Sequence, residues 1–130
     1  MNILKIKETC FYAKDLEGVK TFYHEVLGLP IISYDVQKHI FFRAGSSVLL
    51  CFNPNESKHK ISPPGHYGEG KLHFAFEVTE ADYLKTKQEI RTKGIKITKE
   101  VIWQSGKESF YFEDPEGNVL EVVPDSGIWD

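Results

Sequence analysis

One pattern occurs twice in this chain of 130 residues, and a repeat of this length leaves few folds open. Leu4 to Tyr12 alternates with period two, which predicts a strand. Asp15 then stands as a candidate N-cap before Leu16, Val19, Phe22, Tyr23, Val26 and Leu27 at helical spacing, and Gly28 stops that helix. Three strand-like pieces follow, Ile31–Tyr34, Ile40–Arg43 and Val48–Phe52, separated by polar residues or glycine. After a connecting loop rich in Pro, Gly and charge, residues 53–70, the order starts again. Leu72–Val78 alternates, Ala81–Lys93 is helical with Gly94 as its stop, and Ile95–Lys99, Ser109–Phe112 and Val119–Val123 read as strands. The expected fold class is α+β: two tandem βαβββ modules, about residues 3–53 and 71–124 of a single domain spanning 1–130, forming an open half-barrel-like sheet with helices outside.

Aligning the halves sets Glu8 on His73, Asp15 on Glu80, Gly28 on Gly94, and VLLC at 48–51 on VLEV at 119–122. Strand parity then sorts the side chains. Leu72, Phe74, Phe76 and Val78 form an apolar face fit to pack under a helix, which leaves His73 on the opposite face. Glu8, Cys10 and Tyr12 share the corresponding face of the first strand. Leu120 and Val122 take the helix side of the last strand, so Glu121 points the other way, into a shared concavity. An ionised carboxylate in so apolar a strand costs several kcal/mol or more unless water, a cation or a metal compensates it. Glu8, His73 and Glu121 together offer one imidazole and two carboxylates, a set suited to a divalent cation such as Mn, Fe, Ni, Co or Zn. The repeat pairs Glu121 with Leu50, so a fourth protein ligand is missing and positions stay open to substrate, as in catalytic sites. Tyr111 lies on the same face by parity and can donate a proton or hydrogen bond.

Composition narrows the partners. A formal charge of −3 gives no electrostatic reason to expect nucleic acid or an anionic membrane, and no stretch approaches a membrane span. The N-terminus lacks an apolar run long enough for a signal peptide, so a cytoplasmic location is expected. Cys10 and Cys51 are too few for a disulfide framework and read as free thiols.

Three stretches carry a family resemblance: AKDLEGVKTFYHEVLGLP (Ala13–Pro30), KLHFAFEV (Lys71–Val78) and ESFYFEDPEGNVLEVV (Glu108–Val123). Together they resemble the vicinal oxygen chelate superfamily, the glyoxalase/bleomycin-resistance/dioxygenase proteins. In metal-binding members a His stands where Glu8 stands, a His or Glu where His73 stands, and a Glu where Glu121 stands. Glyoxalase-type members add a Glu near Leu49 or Leu50, which this chain lacks. The resemblance extends to fosfomycin-modifying thiol transferases through Ser105–Tyr111, although Val101 or Ile102 stands near their expected phosphonate-clamping lysine. It also implies a homodimer, and a substrate pocket that includes Arg43, which can hold a carboxylate. Cys10 and Tyr12 on the Glu8 face, and His66 in the inter-module loop as a substrate contact or lid, complete that expected pocket.

The expected function is a metal-dependent enzyme on a small molecule, chelating vicinal substrate oxygens in lyase, isomerase or thiol-transfer chemistry, with Glu121 and Tyr111 as catalytic residues. The alternative is a metal-free small-molecule binding protein of the bleomycin-resistance type.

Overall fold

Each half of the chain builds its sheet by the same route. A computed structural model describes residues 1–129, which divide into two compact units, the first ending at Gly70 and the second starting at Lys71. In the first unit β1 (Glu8–Tyr12) leads into a helix, and three strands follow: β2 (Ile31–Asp35), β3 (His39–Ala44) and β4 (Ser47–Phe52). The helix begins as α1 (Leu16–Lys20), with the Asp15 side chain accepting from Gly18 N, and widens into a π-helical turn over Thr21–Val26. Leu27 N accordingly donates to Phe22 O at 2.9 Å. A short α2 (Pro54–Ser57) lies in the inter-module loop that sequence periodicity leaves irregular. The second unit repeats the order with β5 (His73–Val78), α3 (Glu80–Thr92), β6 (Lys99–Ile102), β7 (Glu108–Glu113) and β8 (Val119–Pro124).

The two sheets have the same topology, β1-β4-β3-β2 and β5-β8-β7-β6, and both are open. In each the first strand runs parallel to the last, as a helical crossover requires. Glu8 pairs with Val48 and Cys10 with Leu50 in one, while His73 pairs with Val119 and Ala75 with Glu121 in the other. Glu8 and His73 therefore hold equivalent positions, and Leu50 is the counterpart of Glu121. The expected α+β fold of two βαβββ modules is the fold adopted.

Burial follows parity. On the helix side of the first sheet Phe11, Ile40, Phe42 and Cys51 are each 0% exposed, packed with Leu16, Val19 and Tyr23. Phe110, Phe112, Leu120 and Val122, with Tyr83 and Ile90 of α3, form the second core. Full burial of side chains of this size stabilises the fold by about 1.5–3 kcal/mol each. Two strands depart from the sequence expectation, because a ladder runs only where its partner runs: β1 is shorter than Leu4–Tyr12, and β6, expected over Ile95–Lys99, forms over Lys99–Ile102 instead. The β4 partner starts at Ser47, so pairing reaches only Glu8, and Ile3, Leu4 and Ile6 are left exposed. Lys99 pairs with Tyr111, and only Thr98 upstream still bonds β7, through Tyr111 O, so Ile95–Ile97 lie outside the ladder.

Candidate functional site

The turn between β7 and β8 sets the register of the second sheet. Asp114 Oδ1 accepts from the backbone N–H groups of Glu116 (2.9 Å) and Asn118 (2.8 Å), and its Oδ2 accepts from Asn118 Nδ2 at 2.9 Å. Asn118 Oδ1 in turn accepts from Leu72 N at 3.0 Å, and Val119 N donates to Leu72 O at 2.8 Å. Asp114 and Asn118 are both buried, so this wiring ties the start of β5 to the start of β8 without competition from water. The Asp-Pro-Glu-Gly run from Asp114 to Gly117 is a turn signal in the sequence itself, and Asn118 directly before an apolar strand is the signal for the second half of this wiring.

That register brings His73, Glu121 and Tyr111 onto one face. His73 Nε2 lies 3.4 Å from Glu121 Oε2, with Glu121 only 6% exposed. His73 Nδ1 lies 2.9 Å from Val119 O. A carbonyl oxygen only accepts, so Nδ1 carries the proton. In the neutral ring Nε2 then presents a lone pair to a carboxylate, and something positive belongs between them: a proton or a metal ion. Two ligands about 2.1 Å from a tetrahedral metal stand roughly 3.4 Å apart, the separation this pair has. The bond from Nδ1 to a carbonyl is also the outer support that metal-bound histidines use to fix tautomer and ring plane. Donor types, spacing and support all fit a divalent cation.

Tyr111 stacks on His73 with ring centroids 6.0 Å apart and sits opposite Glu121 in the ladder. Burial, then its hydrogen bond to Glu121, raises its hydroxyl above the ordinary tyrosine range, so it stays protonated at neutral pH. Trp103 Nε1 donates to Ser109 Oγ at 2.9 Å, two residues from Tyr111. Among the described residues no group of three or more His, Cys, Asp and Glu side chains is arranged to hold a metal. Glu8 is exposed on β1 at the position equivalent to His73.

In the first module the structure joins three of the expected pocket residues. The Tyr12 hydroxyl bonds His66 Nδ1 at 2.9 Å and lies 3.6 Å from Cys10 Sγ. Burial and the neighbouring Cys10 push the Tyr12 hydroxyl up to about 12. His66 is held in turn by Ser57, whose Oγ donates to His66 O at 2.8 Å. A Cβ on Gly68 would lie 2.6 Å from the Tyr12 ring, so only glycine lets the loop come this close. Arg43 is exposed on β3, opposite Val48.

Comparison with known proteins agrees with this fold. The chain is 30% identical over 116 residues to the glutathione transferase FosA of Serratia marcescens, an alignment covering 83% of this chain and 72% of that protein. The crystal structure of lactoylglutathione lyase from Agrobacterium tumefaciens superposes with a TM-score of 0.93 at 31% identity, covering 99% of this chain and 98% of that one. A glyoxalase family protein from Enterococcus faecalis, at 23% identity, shares the fold with a TM-score of 0.70 over 95% of this chain and 99% of its own. The model of the Glyoxalase/Bleomycin resistance protein/Dioxygenase superfamily matches residues 5–122, a span that takes in both βαβββ modules and the His73–Glu121 face, and the chain belongs to that superfamily.

Proposed function

We propose that this chain is a metal-dependent enzyme acting on a small molecule, with His73, Glu121 and Glu8 as the protein ligands of one divalent cation, Mn, Fe, Ni, Co or Zn. The observation that carries the reading is the facing pair of His73 Nε2 and Glu121 Oε2 at 3.4 Å, with the imidazole proton committed to Val119. Glu8 enters from a second copy of the chain. Both β1 and β5 are edge strands with a ladder partner on one side only among the described residues. Such edges are ready templates for pairing, and Glu8 lies on one edge while His73 lies on the other. A homodimer joined through these edges completes the ligand set.

A bound divalent cation supplies Lewis acidity, polarising neighbouring substrate oxygens. The protein's own groups do the rest. Glu121 offers a buried proton-accepting oxygen beside the Tyr111 hydroxyl, which keeps its proton and can donate a hydrogen bond to a developing oxyanion. A base and an acid side by side suit lyase, isomerase or thiol-transfer chemistry. The names of two relatives, a glutathione transferase and a lactoylglutathione lyase, support a substrate or cosubstrate bearing a thiol adduct.

Thermal unfolding with and without metal tests the reading. Cation at 100 times its Kd stabilises the native state by about 2.7 kcal/mol, a rise on the order of 10 °C for a chain of this size. Glu121→Gln abolishes the rise while its metal-free unfolding remains cooperative. A melting curve unmoved by any of the five metals supports the metal-free binding protein instead.

A further inference from the structure

We propose that the face of the first sheet opposite its helix binds a planar aromatic anion, its ring laid on Phe41 and Phe52 beneath His66 and its charge held by Arg43. The two modules differ most on this face. The ladder makes Leu50 the counterpart of Glu121 and Phe41 the counterpart of Tyr111, since Phe41 pairs with Leu50 and Tyr111 with Glu121. Where the second module places groups that hold ions and protons, the first places rings. They are continuous: His39 stacks on Phe41 at 4.1 Å and 13°, Phe41 meets Phe52 edge-on at 5.2 Å, and Phe52 meets His66 edge-on at 4.5 Å. Tyr12 extends the row to 5.7 Å from His66.

These rings are half-buried, whereas their neighbours on the helix side, Ile40, Phe42 and Cys51, are 0% exposed. The row is therefore a surface rather than a core. It is also ordered in advance: Tyr12 and Ser57 hold His66, and Ser33 Oγ lies 2.9 Å from His39 Nε2. Offset and edge-to-face contacts favour a flat ring over a puckered one of equal size.

Charge selects the sign. Arg43 follows Phe41 on the same face of β3 by parity, about 7 Å further along the strand. No carboxylate forms an ion pair with it among the described residues. At the other end of the row Lys60 and Lys38 act on His39, opposed by Asp35. Glu8 faces the same way from β1, with Val48 between it and Arg43 in the ladder. Three cations against two acids, with Arg43 on the same strand face as Phe41, favour an anion. A quaternary ammonium, which bare aromatic rings would attract, meets repulsion at both ends.

That this ligand is also the substrate rests on the metal reading; that it binds does not. Binding is measured on the metal-free full-length protein, by calorimetry or ligand-observed NMR, with benzoate, cyclohexanecarboxylate and benzyltrimethylammonium as probes. Benzoate binds saturably in the millimolar range or tighter, about fivefold more tightly than cyclohexanecarboxylate. Phe52→Leu and Phe41→Leu, which keep apolar bulk, each erase that preference, and Arg43→Gln weakens benzoate about tenfold. Equal affinity for benzoate and cyclohexanecarboxylate, preference for the ammonium, or no saturable benzoate binding overturns the proposal. Loss of the metal response with benzoate binding intact counts only against the metal reading, and the reverse only against this one.

Discussion

Protonation at single tyrosines separates a residue that holds the fold, Tyr83, from one proposed to take part in the chemistry, Tyr111. Tyr83 of α3 is 7% exposed with its ring 5.6 Å from Phe110, and among the described residues its hydroxyl has no hydrogen-bond partner. A buried unsatisfied hydroxyl costs about 1–3 kcal/mol, so Tyr83→Phe should leave the protein more stable in urea unfolding at neutral pH, by roughly 1 kcal/mol. Burial, followed by the fields of Glu108, Glu100 and Glu121, pushes the Tyr83 hydroxyl up to about 12. The native state then holds a proton that the unfolded state has lost. Stability is fully present below pH 10, the ordinary tyrosine value, and falls as pH rises toward 12. Tyr83→Phe should flatten part of that alkaline slope. Tyr111→Phe should behave differently, leaving metal affinity nearly unchanged while lowering turnover of any substrate found by about 10² or more.

Between elements, the connection that matters most is the Asp114–Asn118–Leu72 wiring that aligns β5 with β8. Asn118→Ala strips a buried acceptor from Leu72 N and a donor from Asp114, and should cost about 1–3 kcal/mol. It should also weaken metal binding, since the pairing of His73 with Val119 depends on the same register; calorimetry on the variant checks this. Most elements were legible in the sequence, because period-two runs and glycine stops are local signals, and the repeat lent each half the authority of the other. Strand ends were not. The apolar Ile3, Leu4 and Ile6 look like strand but have no ladder partner among the described residues, and that information lies in Ser47, far along the chain. The His73–Glu121 pair was legible through parity, whereas the ring row was not, because reading it requires knowing that β3 and β4 are neighbours in one register.

Across the whole molecule, two modules share one sheet topology and differ in the chemistry of one face. The first carries rings and the second carries an imidazole, a carboxylate and a phenol. Among the described residues no helix is long and apolar enough to cross a membrane. If two copies share each metal site, mixing matters. A heterodimer of Glu8→Gln with Glu121→Gln should retain one intact metal site, built from Glu8 of one copy with His73 and Glu121 of the other, while either homodimer retains none. Metal bound per dimer, measured by elemental analysis on tagged and separated species, checks this. Metal retained in full by the Glu8→Gln homodimer would remove Glu8 from the set.

On the function proposed here, the space between His73 Nε2 and Glu121 Oε2 holds a divalent cation. Crystals grown with Zn or Mn, measured at the metal's absorption edge, test it directly. An anomalous peak is expected about 2.1 Å from both atoms, with His73 Nδ1 still bonded to Val119 O and no such peak in Glu121→Gln. Crystals of the unmodified protein with no peak at the pair, or a peak bound only by other residues, would contradict it.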